Sequence, residues 1–308
     1  MNSLIFNEFG RLRSGWRASI FLFSFLVLSI FLILGAVTVL KLLPLGPSAA
    51  SFLPLVVPFA IAAGIAIFWG WIYGKIFEDL PFYALGISFR NGWVTNLAIG
   101  CVIGAVTFVC SVIIAVMGGG MTVEFNRLST GSAITATLLS TFVIFFAGAI
   151  SEEALFRGYF LQTLTRSKQV VLGVGMTSLL FALAHDNNPD IGRLSLINTF
   201  LAGIWFAAAY LKTRDLWFPL GVHLMWNWLQ GPVFGINVSG IAEFSPDPLL
   251  RSTDHGPMWL TGGDYGIEGG LACTIAIVIS IGLIYFMPLP KAAPEMLQLS
   301  SSESIKRI

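Results

Sequence analysis

The sequence predicts an all-α integral membrane protein of about eight transmembrane helices, with N- and C-termini cytoplasmic. Two observations predict it. Of 308 residues, 56% are hydrophobic and only 11% charged, and the mean hydropathy is +0.83. A soluble domain carries roughly 25% charged residues, so this chain cannot clothe a water-facing surface of its own size. The second observation is eight segments that reach or approach the ~20 apolar residues a spanning helix needs. Disorder is excluded by the apolar content. A formal net charge of +1 leaves no electrostatic footprint for nucleic acid.

Taken in order, residues 1–17 read as an interfacial amphipathic helix. Leu4, Ile5, Phe9, Leu12 and Trp16 face the acyl chains, while Arg11, Arg13 and Arg17 meet anionic headgroups. Residues 18–129 hold the first three spans, expected at 18–40, 52–74 and 93–117. The first is too long an apolar run for a cleavable signal peptide. Residues 130–232 hold the next four, at 133–165, 169–185, 195–211 and 216–232. The fourth span exceeds what a bilayer requires and carries charges near its middle. Residues 233–268 form a long acidic loop rich in glycine and proline. A loop of that length is often functional, so it reads as a lid or as plain surface. The eighth span falls at 269–287, and 288–308 reads as a flexible cytoplasmic tail. Cys101, Cys110 and Cys273 lie in apolar runs and read as small packing residues, with no disulfide framework.

Orientation follows from the distribution of positive charge. With a cytoplasmic N-terminus, twelve of the seventeen Lys and Arg residues fall inside, including Arg11, Arg13, Arg17, Lys75, Arg90, Arg166, Lys168, Lys306 and Arg307. Only Lys41, Arg127, Arg193 and Arg251 fall outside, and Arg157 lies within a span. Short loops and multiple passes fit a bacterial plasma (inner) membrane protein.

An ionisable side chain in mid-span costs roughly 2.5–3.5 kcal/mol on insertion scales and marks function by default. Four places qualify: Ser151-Glu-Glu-Ala-Leu-Phe-Arg157 in span four, Phe181 to His185 in span five, Asn198 in span six, and His223 to Asn227 in span seven. Successive helical residues turn about 100°, so Glu152 and Glu153 point apart. Glu153 and Arg157, spaced i,i+4, form the natural salt bridge, which leaves Glu152 for chemistry. The bland alternative is a buried structural network of all three. Phe181 shares a face with His185 and can wall it from water; a simple helix-end histidine is the competing reading. His223 and Asn227 also share a face, and Asn198 reads first as helix glue.

A carboxylate, two imidazoles and an amide suit water activation with oxyanion stabilisation. The same Glu and two His could instead hold zinc, with water as fourth ligand; H-E-x-x-H is absent. One geometric condition attaches. His223 lies roughly 10 Å from the start of its span and His185 roughly 25 Å into its own. They meet only if the helices tilt, start at different depths or break.

These residues resemble the CAAX-protease and bacteriocin-processing (CPBP, or Abi) family of intramembrane proteases. The motif E-E-x-x-x-R matches Glu152, Glu153 and Arg157; F-x-x-x-H matches Phe181 and His185; H-x-x-x-N/D matches His223 and Asn227. The run Arg214-Asp-Leu-Trp-Phe-Pro219 also looks typical, and the resemblance covers about residues 130–232. It implies an α-helical membrane endopeptidase acting on a membrane-associated or lipidated protein or peptide within the lipid bilayer. By that analogy Glu152 is the base, His185 assists it, and His223 with Asn227 supports the oxyanion. Glu153, Arg157 and Phe181 support them. The resemblance leaves open a zinc mechanism, with Glu152, His185 and His223 as ligands, and a metal-free glutamate mechanism. The competing functions are a proton-coupled transporter, since intramembrane Glu and His also build proton relays, and a non-catalytic immunity or scaffold protein.

Overall fold

A long apolar run in hydrocarbon satisfies its backbone polar groups only by coiling into helix, and this chain does so throughout. The computed structural model describes residues 4–288 and 290–301. Three long helices come first: α1 (Ser14–Leu42), α2 (Pro47–Glu78) and α3 (Trp93–Met117). A short strand, β1 (Met121–Phe125), follows. The charged fourth segment is compound. Helix α4 (Gly131–Glu153) runs into a widened π-type turn over Ala154–Phe160, broken at Gly158 (ψ −129°), and resumes as α5 (Leu161–Arg166). Next come α6 (Val170–Ala184), α7 (Arg193–Thr213) and α8 (Trp217–Trp228). The following loop carries β2 (Leu250–Asp254) and the single turn α9 (Met258–Thr261). Helices α10 (Leu271–Phe286) and α11 (Pro294–Ser301) complete the described chain.

Among the described residues, five helices are long and apolar enough to cross a membrane: Ser14–Leu42, Pro47–Glu78, Trp93–Met117, Gly131–Arg166 and Arg193–Thr213. The segments expected at 169–185, 216–232 and 269–287 are helical but shorter, at 15, 12 and 16 residues. Helices α3 and α8 make the most extensive pair. Small residues set their distance: a Cβ at Gly100 would collide with the carbonyl oxygen of Phe218, and one at Gly104 with that of Val222. Close approach through glycine is a packing device of membrane helices, where dispersion rather than water release drives association.

The connections gather in two groups. In one, β1 pairs antiparallel with β2, from Met121 opposite Asp254 to Phe125 opposite Leu250, and Asn126 Nδ2 donates to the Pro248 carbonyl at 2.7 Å. In the other, Glu78 receives Arg17 at 3.0 Å and Arg166 at 2.7 and 2.8 Å. There Leu216 N donates to Gly86 O at 2.8 Å and Ala292 N to Lys212 O at 3.1 Å.

The expected all-α membrane fold is what the structure shows, with one small addition: loop 233–268 supplies one strand of a two-stranded ribbon with the α3–α4 connection. Two expectations are corrected. The described part of segment 1–17 is not a helix before Ser14. Asn7 Oδ1 accepts from the backbone of Phe9 and Arg11 at 3.1 and 2.9 Å, Gly10 adopts φ +71°, and Phe6 bridges Leu12. An asparagine that caps its own turn competes with helix. Arg17 sits fully buried against Glu78 rather than at headgroups. The start of the tail is also ordered: Pro294 takes the first helical position, where its missing N–H costs nothing, and Met296 and Ser300 are buried. Residues 302–308, with Lys306 and Arg307, lie outside the described residues.

Candidate active site

The site grows from the end of α4. Glu153 is 1% exposed and Arg157 fully buried. Arg157 Nη1 donates to Glu153 Oε1 at 3.1 Å, and Nη2 to the Gly203 carbonyl at 3.0 Å. The guanidinium also lies 4.9 Å from the Phe181 ring centre and 5.2 Å from that of Phe206. A buried cation is tolerable only when it is paired and hydrogen-bonded. The spacing-based assignment of Glu153 to Arg157 is what the structure shows.

Glu153 has a second task. Its Oε1 lies 3.0 Å from His223 Nδ1. A carboxylate only accepts, so Nδ1 carries the proton and donates. The other imidazole nitrogen, Nε2, faces Glu152 Oε2 at 3.7 Å. Phe206 stacks on the His223 ring, with centroids 4.5 Å apart and planes 14° from parallel. Imidazole orientation is therefore fixed from an edge and a face.

Glu152 differs from its neighbour. Its side chain is 26% exposed. Oε2 of each glutamate is buried without a hydrogen-bond partner among the described residues, but Glu153 Oε1 is held by Arg157 and His223. Buried polar atoms are nearly always satisfied, so the Glu152 carboxylate has capacity for a water or a substrate group.

His185 ends α6. Its Nδ1 donates to the Phe181 carbonyl at 2.7 Å, which leaves Nε2 as an acceptor, and its ring packs 4.8 Å from that of Phe181. The helix-end reading of His185 is right about its position, but its partner is Phe181 rather than Asp186 or Asn187. Asn227, one turn beyond His223, is half-buried.

Glu152, His185, His223 and Asn227 line two adjoining cavities, together with Ser239. The larger, about 400 Å³, is walled by apolar side chains of α1, α2 and α4, among them Phe25, Pro58, Phe59 and Phe145. The smaller, about 60 Å³, lies among α7, α8 and α10 and is lined by Ala202, Trp205, Cys273 and Ile277. The depth mismatch between His185 and His223 is met by short helices: α6 has 15 residues and α8 only 12.

Asn198 is helix glue as expected, though its partners are unexpected. Its Nδ2 donates to the carbonyls of Glu268 and Gly270 at 2.8 and 2.9 Å, and its Oδ1 accepts from Thr274 at 2.6 Å. It thereby ties α7 to the long loop and α10. That loop reaches the site. Glu268 enters the smaller cavity and accepts from Trp226 Nε1 at 3.2 Å, Ser239 N at 2.6 Å and Ser239 Oγ at 2.9 Å. Phe206, Trp226, Ser239 and Glu268 escaped the motif reading. Only Trp226, one residue before Asn227, carried a positional signal.

Each histidine holds its Nδ1 against a carbonyl or carboxylate and presents Nε2, the disposition of a metal-ligating imidazole. Among the described residues, however, no group of three or more His, Cys, Asp and Glu is placed to hold a metal ion.

The stretch that carries these residues is similar to known proteins. An Escherichia coli protein described as an uncharacterized 24.3 kDa protein is 31% identical over 102 residues. That alignment covers 32% of this chain and 46% of the relative, so the chain spans about half the relative's length. Residues 133–229, the stretch that bears Glu152, Glu153, Arg157, Phe181, His185, His223 and Asn227, match the family of Rce1-like type II CAAX prenyl endopeptidases.

Proposed function

We propose that the protein is an integral membrane endopeptidase that hydrolyses a peptide bond in a membrane-associated or lipidated protein or peptide. The observation that carries the reading is the Glu152 carboxylate. It is 26% exposed, lines both cavities and lies 3.7 Å from a histidine nitrogen. Its neighbour Glu153 is committed to Arg157 and His223.

The chemistry assigned to these groups is as follows. Glu152 takes a proton from water, with His185 Nε2 accepting the water's second hydrogen and aiming its lone pair. The hydroxide equivalent attacks the scissile carbonyl. His223 Nε2, when protonated, and the Asn227 amide donate to the developing oxyanion. Glu152 returns its proton to the departing amine nitrogen, so no net proton is consumed before product release. Glu153 and Arg157 hold His223, and Phe181 and Phe206 keep the site dry. The apolar cavity beside α1 and α2 receives the substrate's greasy portion. The same proposal places eight passes in a bacterial inner membrane with both ends cytoplasmic.

The test uses purified protein in proteoliposomes with lipidated and unmodified peptides. Glu152→Gln and His185→Ala should each lower cleavage by about 10²–10⁴-fold while elution volume and helix content stay at wild-type values. Normal processing by both variants would overturn the assignment. Solute flux without peptide cleavage would favour a transporter.

A further inference from the structure

The two cavities meet only at the residues assigned to the chemistry and at Ser239. A bond cleaved at that junction sends one side of the substrate into the large apolar cavity and the other toward the small one. The small chamber has an unusual wall. Glu268 brings a carboxylate to it, beside Ser239, from outside the matched segment 133–229. Its partners among the described residues are the neutral donors Trp226 and Ser239. Three donors fix the carboxylate in place without cancelling its charge. A carboxylate accepts about four hydrogen bonds, so capacity remains for one more donor.

Size narrows the occupant. A water takes roughly 10–15 Å³ of such a volume, so about 60 Å³ admits some four to six non-hydrogen atoms. The lining combines apolar Ala202, Trp205, Cys273 and Ile277 with the Glu268 carboxylate. An unbranched aliphatic stem ending in a cation matches both kinds of surface. Lysine has five such side-chain atoms, arginine seven. A chain-terminal carboxylate would be repelled.

We propose that the small chamber is a subsite for a lysine-sized primary ammonium group of the substrate, and that Glu268 is its specificity-determining residue. The role in cleavage rests on the proteolytic reading; the binding of an ammonium does not.

Two measurements separate these. The first is binding of n-butylammonium, a five-heavy-atom probe, to the full chain in zwitterionic nanodiscs, by ligand-detected NMR against empty discs. Wild type and Glu268→Asp should bind it, Glu268→Gln at least fivefold more weakly, and butyrate should not compete. Equal binding by wild type and Glu268→Gln overturns the proposal. The second is cleavage of peptides that differ only in Lys, Met or Glu beside the scissile bond. The Lys-to-Met ratio of kcat/KM should fall at least tenfold in Glu268→Gln and recover in Glu268→Asp. A parallel loss for both peptides, with the ratio unchanged, would reduce Glu268 to a loop tether and overturn the proposal. Glu268-dependent amine binding with no cleavage of any peptide would leave the subsite standing and remove the protease.

Discussion

Two adjacent glutamates, one turn apart in fate, show how burial sorts identical chemistry. Glu153 is 1% exposed and shared between a guanidinium and an imidazole. Removing it strands the fully buried Arg157. We therefore expect Glu153→Ala to lower stability by about 3–5 kcal/mol, the usual result of breaking a buried pair from one side. Glu152→Gln should stay within about 1 kcal/mol of wild type, because Glu152 Oε2 makes no hydrogen bond that is lost. Thermal unfolding in detergent, read by circular dichroism, checks both. Equal losses would mean that the two glutamates form one structural network. This division was legible in the sequence, since i,i+4 spacing alone gives Glu153 to Arg157 and turns Glu152 away. The ring stacked on His223 was not legible. Phe206 lies 17 positions upstream on another helix, and no local period announces it. Glu268 escaped for the same reason: its partners sit 29 and 42 residues away.

Helices set the precision of the site, and small residues set the helices. Because α8 carries His223 and Asn227, its seat on α3 fixes them. A Cβ at Gly104 would strike the backbone of Val222, the residue before His223, whereas one at Gly35 in α1 meets nothing within 4 Å. Gly104→Ala is expected to lower both stability and activity, and Gly35→Ala to be neutral or slightly stabilising, by up to ~1 kcal/mol from helix propensity. Matched unfolding curves for the two variants would refute close packing as the constraint. The spans were readable because hydropathy reports burial in lipid directly. Less readable were the elements made by contacts between distant segments: the β1–β2 ribbon, the turn at Asn7 and helix α11. Helix α11 docks through an exposed pair, Arg90 with Glu295 at 2.5 Å. Hydrogen bonds from Arg90 and Tyr83 hold the Glu295 carboxyl below its ordinary range. A carboxyl depressed by folding lends its stabilisation above its unfolded value and loses it as pH falls through the folded value. Docking of α11 should thus survive to the ordinary carboxylate range and loosen only below it. About 1 M salt, where screening reaches ~3 Å, should loosen it at neutral pH. A nitroxide at position 297 reports this as increased mobility. Unchanged spectra at low pH and in salt would show that Met296 and Ser300 alone carry the docking.

Across the whole molecule, the connections sort alternately between two groups, and the proposed eight passes accord with that alternation. The α3–α4 connection and the α8–α10 loop share the β1–β2 ribbon. Residues 17, 78 and 166 share one ion cluster, and the α2–α3 and α7–α8 connections meet through Gly86 and Leu216. In the proposed eight-pass arrangement α6 and α8 each cross, which puts these partners on the same side of the bilayer. Short helices can cross because their ends continue into protein-buried chain rather than lipid-exposed backbone; Gln230 and Gly231, just past α8, are both buried. The positive charges agree, since most Lys and Arg residues fall with the ion cluster. We expect single cysteines at exposed Asn91 and His255, in a chain with Cys101, Cys110 and Cys273 replaced, to label from opposite faces of sealed inner-membrane vesicles. A membrane-impermeant maleimide should reach position 91 in inverted vesicles and position 255 in right-side-out ones. Labelling of both from one face would place Asn91 and His255 on the same side. The proposed eight-pass arrangement would then fall.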